Sequence, residues 1–327
     1  MKNYLMLESG YIQTTYGVFA GVDAISTYPG GEMESMRLSE RNVIMTEIGE
    51  LIPAYTENSR RKNKVSVEFD RQGLVIGVLL EEQQEVRTPI GELPAERVKF
   101  YSTGELYRLF VLDGQISGFW SETDERELNV PLSFDLGFTS FRAMLNGICF
   151  YRDGGIRSIT LFPGERITIM TPLGEVETVV GLSLYESGAL CSVEPAEPVL
   201  IETPIGRLTS YDTDQNGLNA DSNSLVFTQE GKISSLMTCD NLIHVQTQEG
   251  VMKTFAPKVK PHPLYDDAVT VAGMNVEFDY QKDTVIIDGH EFSLSECGFT
   301  TGLFIRPGTH CTPADCANCS VCNRGCI

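Results

Sequence analysis

Along most of the chain apolar and polar positions alternate with a period of two. Ile159-Thr160-Leu161, Ile167-Thr168-Ile169 and Val65-Ser66-Val67-Glu68-Phe69 each put apolar side chains on one side and polar ones on the other. That is the pattern of a strand with one buried face. Turn signals punctuate the strands at regular intervals. The tetrad Thr-x-x-Gly recurs at Thr14–Gly17, Thr46–Gly49, Thr88–Gly91, Thr171–Gly174, Thr203–Gly206 and Thr247–Gly250. With Val130-Pro131-Leu132-Ser133 counted as a degenerate copy, successive tetrads lie 32 to 44 residues apart, and Thr270-Val271-Ala272-Gly273 reads as a last weak copy. A second landmark lies upstream of each tetrad: an aromatic or Leu-Tyr pair, a polar turn, then Gly, as in Phe100-Tyr101-Ser102-Thr103-Gly104 and Leu184-Tyr185-Glu186-Ser187-Gly188. From this Gly to the following Thr the distance is 15 or 16 residues in five cases, for example Gly188 to Thr203.

Turn chemistry gives the repeat its physical meaning. In Thr-Pro-Ile-Gly the Pro presets φ at the second position and the Gly takes positive φ at the fourth, a type I turn closed by a glycine bulge. Each repeat then holds two hairpins with one apolar face that it cannot bury alone, so successive repeats must stack. The chain reads as all-β: about seven units of antiparallel hairpins, forming an elongated solenoid-like or meander array. A β-propeller is the alternative, since a blade needs a similar length, although the 32-residue steps are short for four strands. Residues 1–257 form the repeat body, 258–309 its closing strands and 310–327 a cysteine-rich tail. Residues 133–149 read as a variant repeat or a joint. Residues 55–64, with Arg60-Arg61-Lys62, and 211–223, rich in Asp and Asn, read as exposed loops. Residues 258–263 (KVKPHP) read as a linker before a final pair of strands.

The hairpins typified by Phe100-Tyr101-Ser102-Thr103-Gly104-Glu105-Leu106, followed by Leu112-Asp113-Gly114-Gln115-Ile116, resemble the bacterial variant of the MORN repeat. The resemblance implies an antiparallel β-sheet used for binding or scaffolding, with no shared catalytic residue.

Charge narrows the choice of partner. With 25 Lys+Arg against 45 Asp+Glu, the net charge of −20 argues against nucleic acid, because counterion release needs a basic surface. A protein partner with a basic surface fits better, and exposed array ends favour a homo-oligomer. The N-terminal residues carry no apolar signal-peptide core and no run of ~18 apolar residues occurs, so neither secretion nor a membrane partner is expected. A cytoplasmic location follows, where thiols stay reduced.

Of nine cysteines, Cys149, Cys191, Cys239 and Cys297 are scattered among apolar residues and read as small core fillers, while five crowd the C-terminus. Cys316, Cys319, Cys322 and Cys326 spell C-x2-C-x2-C-x3-C, which resembles a single bacterial ferredoxin-type [4Fe–4S] motif. The resemblance implies an iron–sulfur cluster on these four thiolates, used for electron transfer or for assembling a partner enzyme. The Pro that usually follows the fourth Cys is absent, and Cys311 is an alternative ligand. Zinc is the chemical rival, with His310 as a further donor. Asp212-Thr213-Asp214-Gln215-Asn216-Gly217 matches the start of a calcium loop, with Asp212, Asp214 and Asn216 as ligands, but Asn223 stands where the bidentate Glu is needed. No nucleophile elbow and no phosphate-cradling glycine loop occurs, and a non-catalytic role is favoured. Glu81-Glu82 read as solvated turn residues, and Phe119-Trp120 as packing.

Overall fold

The computed structural model describes residues 4–7, 10–213, 219–261 and 269–305. Among the described residues the regular secondary structure is nearly all antiparallel strand. It folds as two compact units: Met1–Ala196 with Asn216–Asn223 and Phe227–Lys232, and Glu197–Gln215 with Ser224–Val226 and Ile233–Ile327.

In the first unit a meander of antiparallel strands runs in chain order: Val22–Thr27, Met33–Leu38, Val67–Phe69, Val75–Thr88, Gly91–Phe100, Leu106–Phe110, Leu145–Phe150, Ile156–Leu161, Gly174–Leu184 and Leu190–Pro195. Strand pairing keeps one register across all of them. A single cross-strand row reads Ile25, Met36, Val67, Val78, Val98, Leu109, Ile148, Ile159, Leu182, Val193. From Met36 onward these side chains are almost wholly buried. The adjoining row, one residue along and therefore on the other face, reads Ser26, Ser35, Glu68, Gly77, Lys99, Arg108, Cys149, Ser158, Ser183, Ser192. The alternation read from the sequence is thus the registration device of the sheet.

Between the long strands lie the side hairpins. Ile12–Thr14 pairs with Gly17–Phe19, Ile44–Thr46 with Gly49–Leu51, and Leu132–Asp135 with Ser140–Ala143. The outer ends of Val75–Thr88 and Gly91–Phe100 pair with each other, and Ile167–Thr171 pairs with the start of Gly174–Leu184. Their apolar residues, Ile44, Leu51, Val86, Ala95, Ile167 and Ile169 among them, are as deeply buried as the row in the sheet. Each repeat therefore holds two hairpins, as the turn spacing predicts. The Thr-x-x-Gly turns tip the side hairpins: Thr14, Thr46, Thr88 and Thr171 each pair with the Gly three residues on, and the Thr hydroxyl donates to that glycine's carbonyl. The glycines have φ between 100° and 121° and the residues between have negative φ, so the turn is type I followed by a glycine bulge. The tips seat on the other class of turn: Thr15 Oγ1 donates to Gly73 O (3.3 Å), and Pro89 and Pro172 lie against Gly154 and Gly231.

That second class of turn carries a ladder that sequence periodicity only hints at. Its first residue is Tyr28, Asp70, Tyr101, Tyr151 or Tyr185 in successive sheet hairpins. The hydroxyl of Tyr28 donates to Phe69 O (2.9 Å), Tyr101 to Phe150 O (2.8 Å), Tyr151 to Leu184 O (2.8 Å) and Tyr185 to Phe227 O (2.7 Å). Each acceptor immediately precedes the first turn residue of the next hairpin, so a phenol ties hairpin to hairpin. Arg71 stacks on Tyr28 and Arg152 on Tyr101, each from the second position of the following turn. Asp70 interrupts the ladder; its carboxylate accepts from the backbone of Gln72 and Leu74 and closes its own turn instead.

In the second unit, Ile233–Thr238, Met274–Asp279, Thr284–Ile287 and His290–Ser293 form a meander in that order. Asn241–Gln246 pairs with Met252–Phe255 on one side and Gly298–Leu303 on the other. Val199–Thr203 pairs with Gly206–Ser210 across another Thr-x-x-Gly tip. Among the described residues the strands close into neither a barrel nor a propeller, and no helix is long and apolar enough to cross a membrane.

Several local readings are corrected. Val130-Pro131-Leu132-Ser133 enters a strand, and the turn of that hairpin lies at Leu136–Thr139. Residues 133–149 make a hairpin and the strand after it. Thr247–Gly250 is a turn of the second class, with Gly250 N bonded to Thr247 O. Thr270–Gly273 is no turn, since Val269–Ala272 runs as a strand pairing with Lys258–Pro261, which is itself no linker. The one helix among the described residues, Glu122–Glu127, escapes hydrophobic periodicity because it is short and polar, although Ser121 and Asp124 form a capping box at its start.

The ladder predicts a graded response. Tyr151→Phe removes one hydrogen bond and is expected to cost about 1 kcal/mol, whereas Leu109→Ala in the apolar row costs about 2–5 kcal/mol; chemical denaturation measures both. Burial pushes the ladder phenols up, Tyr185 to about 12. Their contribution is whole below the ordinary phenol pKa and is lost as pH rises through the folded values, so stability falls in strong alkali, and less so in Tyr185→Phe.

Candidate functional site

Two insertions break the rhythm of the first unit, residues 55–64 and 111–131, and three acidic anchors hold them. Glu81 lies within the strand Val75–Thr88, not at a solvated turn. Its Oε2 accepts from Tyr55 N (2.7 Å) and Thr56 N (3.1 Å), fixing the start of the first insertion. Arg61 donates to the carbonyls of Leu80 and Glu81 from the same loop.

Arg60 does the rest. The charge run Arg60-Arg61-Lys62 reads as exposed loop, yet the Arg60 side chain is only 11% exposed. Its guanidinium donates to both carboxylate oxygens of Glu96 (2.7 and 2.8 Å) and both of Glu125 (2.6 and 2.7 Å). Glu96 comes from the strand Gly91–Phe100 and Glu125 from the short helix, their side chains 6% and 7% exposed. The carboxylates are used further: Asp113 N donates to Glu96 (2.7 Å), Gly114 N to Glu125 (2.8 Å) and the Trp120 indole to Glu125 (2.6 Å). Gln115 N donates to Arg60 O (2.8 Å), so the loops are also joined backbone to backbone. Two paired carboxylates around one planar fork are the geometry in which a buried charge is compensated. Burial works to raise the Glu125 carboxyl, but hydrogen bonds from Arg60 and Trp120 outweigh it and hold it below the usual carboxylate range. Burial likewise opposes the Arg60 charge, and the two carboxylates more than restore it.

Beside this network Lys64 Nζ lies 2.8 Å from Asp113 Oδ2, and Arg97 bonds Glu68 at 2.8 Å. Gly77 makes the second pair feasible: it stands between Glu68 and Lys99 in the polar row, and a Cβ there would fall 2.2 Å from Glu68 Oε2.

Between the anchored loops opens a cleft of about 960 Å³, with Glu57, Asn58, Ser59, Lys62, Asn63 and Lys64 on one wall and Gly114, Gln115, Ser117 and Phe119 on the other. Phe119 and Trp120 part ways here. Ser117 N bonds Trp120 O (2.8 Å) and Phe119 N bonds Ser117 Oγ (3.2 Å), a tight turn that sends the indole inward to Glu125 and leaves Phe119 93% exposed. Only Trp120 packs as read from the sequence. The walls thus present amides, hydroxyls, one aromatic face and a few charges, groups that exchange hydrogen bonds and stack.

A second polar cluster lies on the polar row. Asp221 accepts from Ser158 Oγ (2.6 Å) and from Arg108, Asn223 donates to Ser192 Oγ (2.7 Å), and Ala220 is fully buried. Residues 219–223 of the Asp- and Asn-rich insert are therefore docked on the sheet and are not an exposed loop. Burial pushes the neighbouring Cys149 thiol up, away from the reactive thiolate. Cys149 and Cys239 are buried, Cys191 and Cys297 half-buried.

Of the residues singled out from the sequence, Asp212 is half-buried just after the strand Gly206–Ser210. Asp214, Asn216, His310, Cys311, Cys316, Cys319, Cys322 and Cys326 lie outside the described residues. Among the described residues no group of three or more His, Cys, Asp or Glu side chains is arranged to hold a metal ion. The Arg60–Glu96–Glu125 network escapes a reading of the sequence because its members sit 36 and 65 residues apart; the one local signal is the capping box that places Glu125 on a helix.

Arg60→Ala leaves two buried carboxylates facing each other and is expected to cost about 3–5 kcal/mol. Because Glu125 is held low, its contribution is present above the ordinary carboxylate pKa and lost as pH falls through its depressed value. The chain's single tryptophan, Trp120, reports both events: its emission shifts in acid in the parent protein and is already shifted near neutral pH in Arg60→Ala.

No protein-family model matches the chain, and no curated protein shows significant similarity to it.

Proposed function

We propose that this chain is a non-catalytic binding protein, a hairpin-repeat scaffold whose recognition site is the cleft between residues 57–64 and 114–119. The observation that carries the reading is the convergence of two separate insertions on one cleft, both locked to the scaffold by Arg60, Glu96 and Glu125. In repeat proteins insertions map to loops on one face, often the binding face, and a site held by buried ion pairs is pre-organised, which lowers the cost of ordering on binding. The resemblance to MORN-type hairpins supports the same role. Crystals soaked in a series of small organic solvents test it without knowledge of the ligand. Probe molecules are expected to cluster in the cleft; clustering elsewhere with the cleft left empty would overturn the reading.

A second reading concerns the tail and rests on the C-x2-C-x2-C-x3-C spacing of Cys316, Cys319, Cys322 and Cys326. Four closely spaced thiolates are a donor set for an iron–sulfur cluster, or for zinc with Cys311 or His310 as alternates. In this reading the scaffold carries a metal for electron transfer or for assembling a partner enzyme. Anaerobically purified protein is expected to contain iron or zinc, and a chain ending at Thr309 to contain none; equal metal content in both would sink the idea.

A further inference from the structure

We infer that the ligand of this cleft is a neutral oligosaccharide, a proposal that rests on the binding reading above and names its ligand class. Three features point to it. The first is the balance of charge. Lys64 is neutralised by Asp113 at 2.8 Å, Arg60 is enclosed by Glu96 and Glu125, and Glu57 and Lys62 leave the first wall with one charge of each sign. A phosphate or sulfate would need unspent cations or a nest of backbone N–H groups; Lys64 and Arg60 are already paired, and Lys62 is balanced in sign by Glu57 on the same loop.

The second feature is the kind of polar group on the walls. Asn58, Asn63 and Gln115 carry amides, and Ser59 and Ser117 carry hydroxyls. Each of these both donates and accepts. Sugar hydroxyls do the same, so amide and hydroxyl walls can satisfy them in either sense, whereas a purely cationic or purely acidic wall cannot.

The third is Phe119. An aromatic ring 93% exposed stands on a turn whose backbone is closed by Ser117 and whose next residue, Trp120, is pinned to Glu125. The face of such a ring carries partial negative charge and matches the C–H face of a pyranose, which is apolar and weakly positive. The stacking platform stands at the rim with hydrogen-bonding walls beyond it. The volume, about 960 Å³, lies at the upper end of the ~300–1,000 Å³ typical of ligand pockets and gives room for a chain of several sugar rings.

The full chain is titrated with neutral tetrasaccharides (malto-, cello-, chito- and manno-oligomers), with inorganic phosphate, with a sulfated oligosaccharide and with a basic peptide. Heat and Trp120 emission are followed. At least one neutral tetrasaccharide is expected to bind and to perturb Trp120. Phe119→Ala is expected to weaken it by roughly tenfold or more and Phe119→Tyr to retain it. Asn63→Ala provides a second variant on the opposite wall, also expected to weaken binding. Because Phe119 is exposed, its substitution leaves the denaturation midpoint unchanged, which separates binding from folding. The proposal is overturned if no neutral oligosaccharide binds, if only the phosphate, sulfated or peptide ligand binds, or if sugar binding survives Phe119→Ala unchanged. Solvent probes seated in the cleft with no sugar response sink the sugar assignment alone; a cleft that takes neither probes nor sugar sinks the binding reading with it.

Discussion

The first unit depends on one constraint: its strands keep a common register, so that a single row of apolar side chains from Ile25 to Val193 crosses the sheet unbroken. A slip of one residue anywhere would exchange this row for the polar one beside it and turn the core outward. The phenol ladder and the seating of Pro89 on Gly154 and Pro172 on Gly231 are secondary fasteners. They join hairpins that hydrophobic register has already aligned.

On that platform the cleft is an irregularity with its own means of support. Neither insertion continues the alternation of the strands, and beyond Val111 and Leu112 neither places an apolar side chain in the buried core. What orders them is polar: Glu81 at the entry of one loop, Arg60 at its centre, Glu96 and Glu125 answering from a strand and a helix. Because Arg60, Glu96 and Glu125 are consumed in holding the loops, the cleft is lined mainly by amides, hydroxyls and Phe119, with Glu57 and Lys62 as one charge of each sign. The ion pairs behind the loops and the mostly uncharged lining of the cleft are two sides of one arrangement.

The regular part of this fold was legible in the sequence because it is local. Alternation over a few residues and a turn with Pro and Gly at fixed places determine a hairpin, and a nearly constant distance between turns determines the pairing of hairpins. Thr247–Gly250 and Thr270–Gly273 show where that logic fails: the tetrad is the same, but the strands around it decide whether it tips a side hairpin, turns a sheet hairpin or is no turn. Arg60 shows the deeper limit. As a member of a basic triplet in a Gly- and Pro-free insert it looks solvated, and only the arrival of Glu96 and Glu125 from distant segments makes its burial favourable. The tyrosines lie between these cases, each visible as a turn residue while the carbonyl it reaches is 33 to 49 residues away.

The interruption of the ladder at Asp70 gives the first unit a mechanical grain. Elsewhere adjacent sheet hairpins are sewn by a half-buried phenol, a neutral bond nearly indifferent to ionic strength. Between the hairpin turning at Asp70 and the one turning at Tyr101 that stitch is missing, and charged pairs take its place, Arg97 with Glu68 and Arg60 with Glu96. Screening weakens the partly exposed member of these pairs most. The same seam carries the longest strand pairing of the unit, Gly91–Phe100 on Val75–Thr88, so what sets it apart is its sensitivity to salt and acid, and it runs beside the cleft.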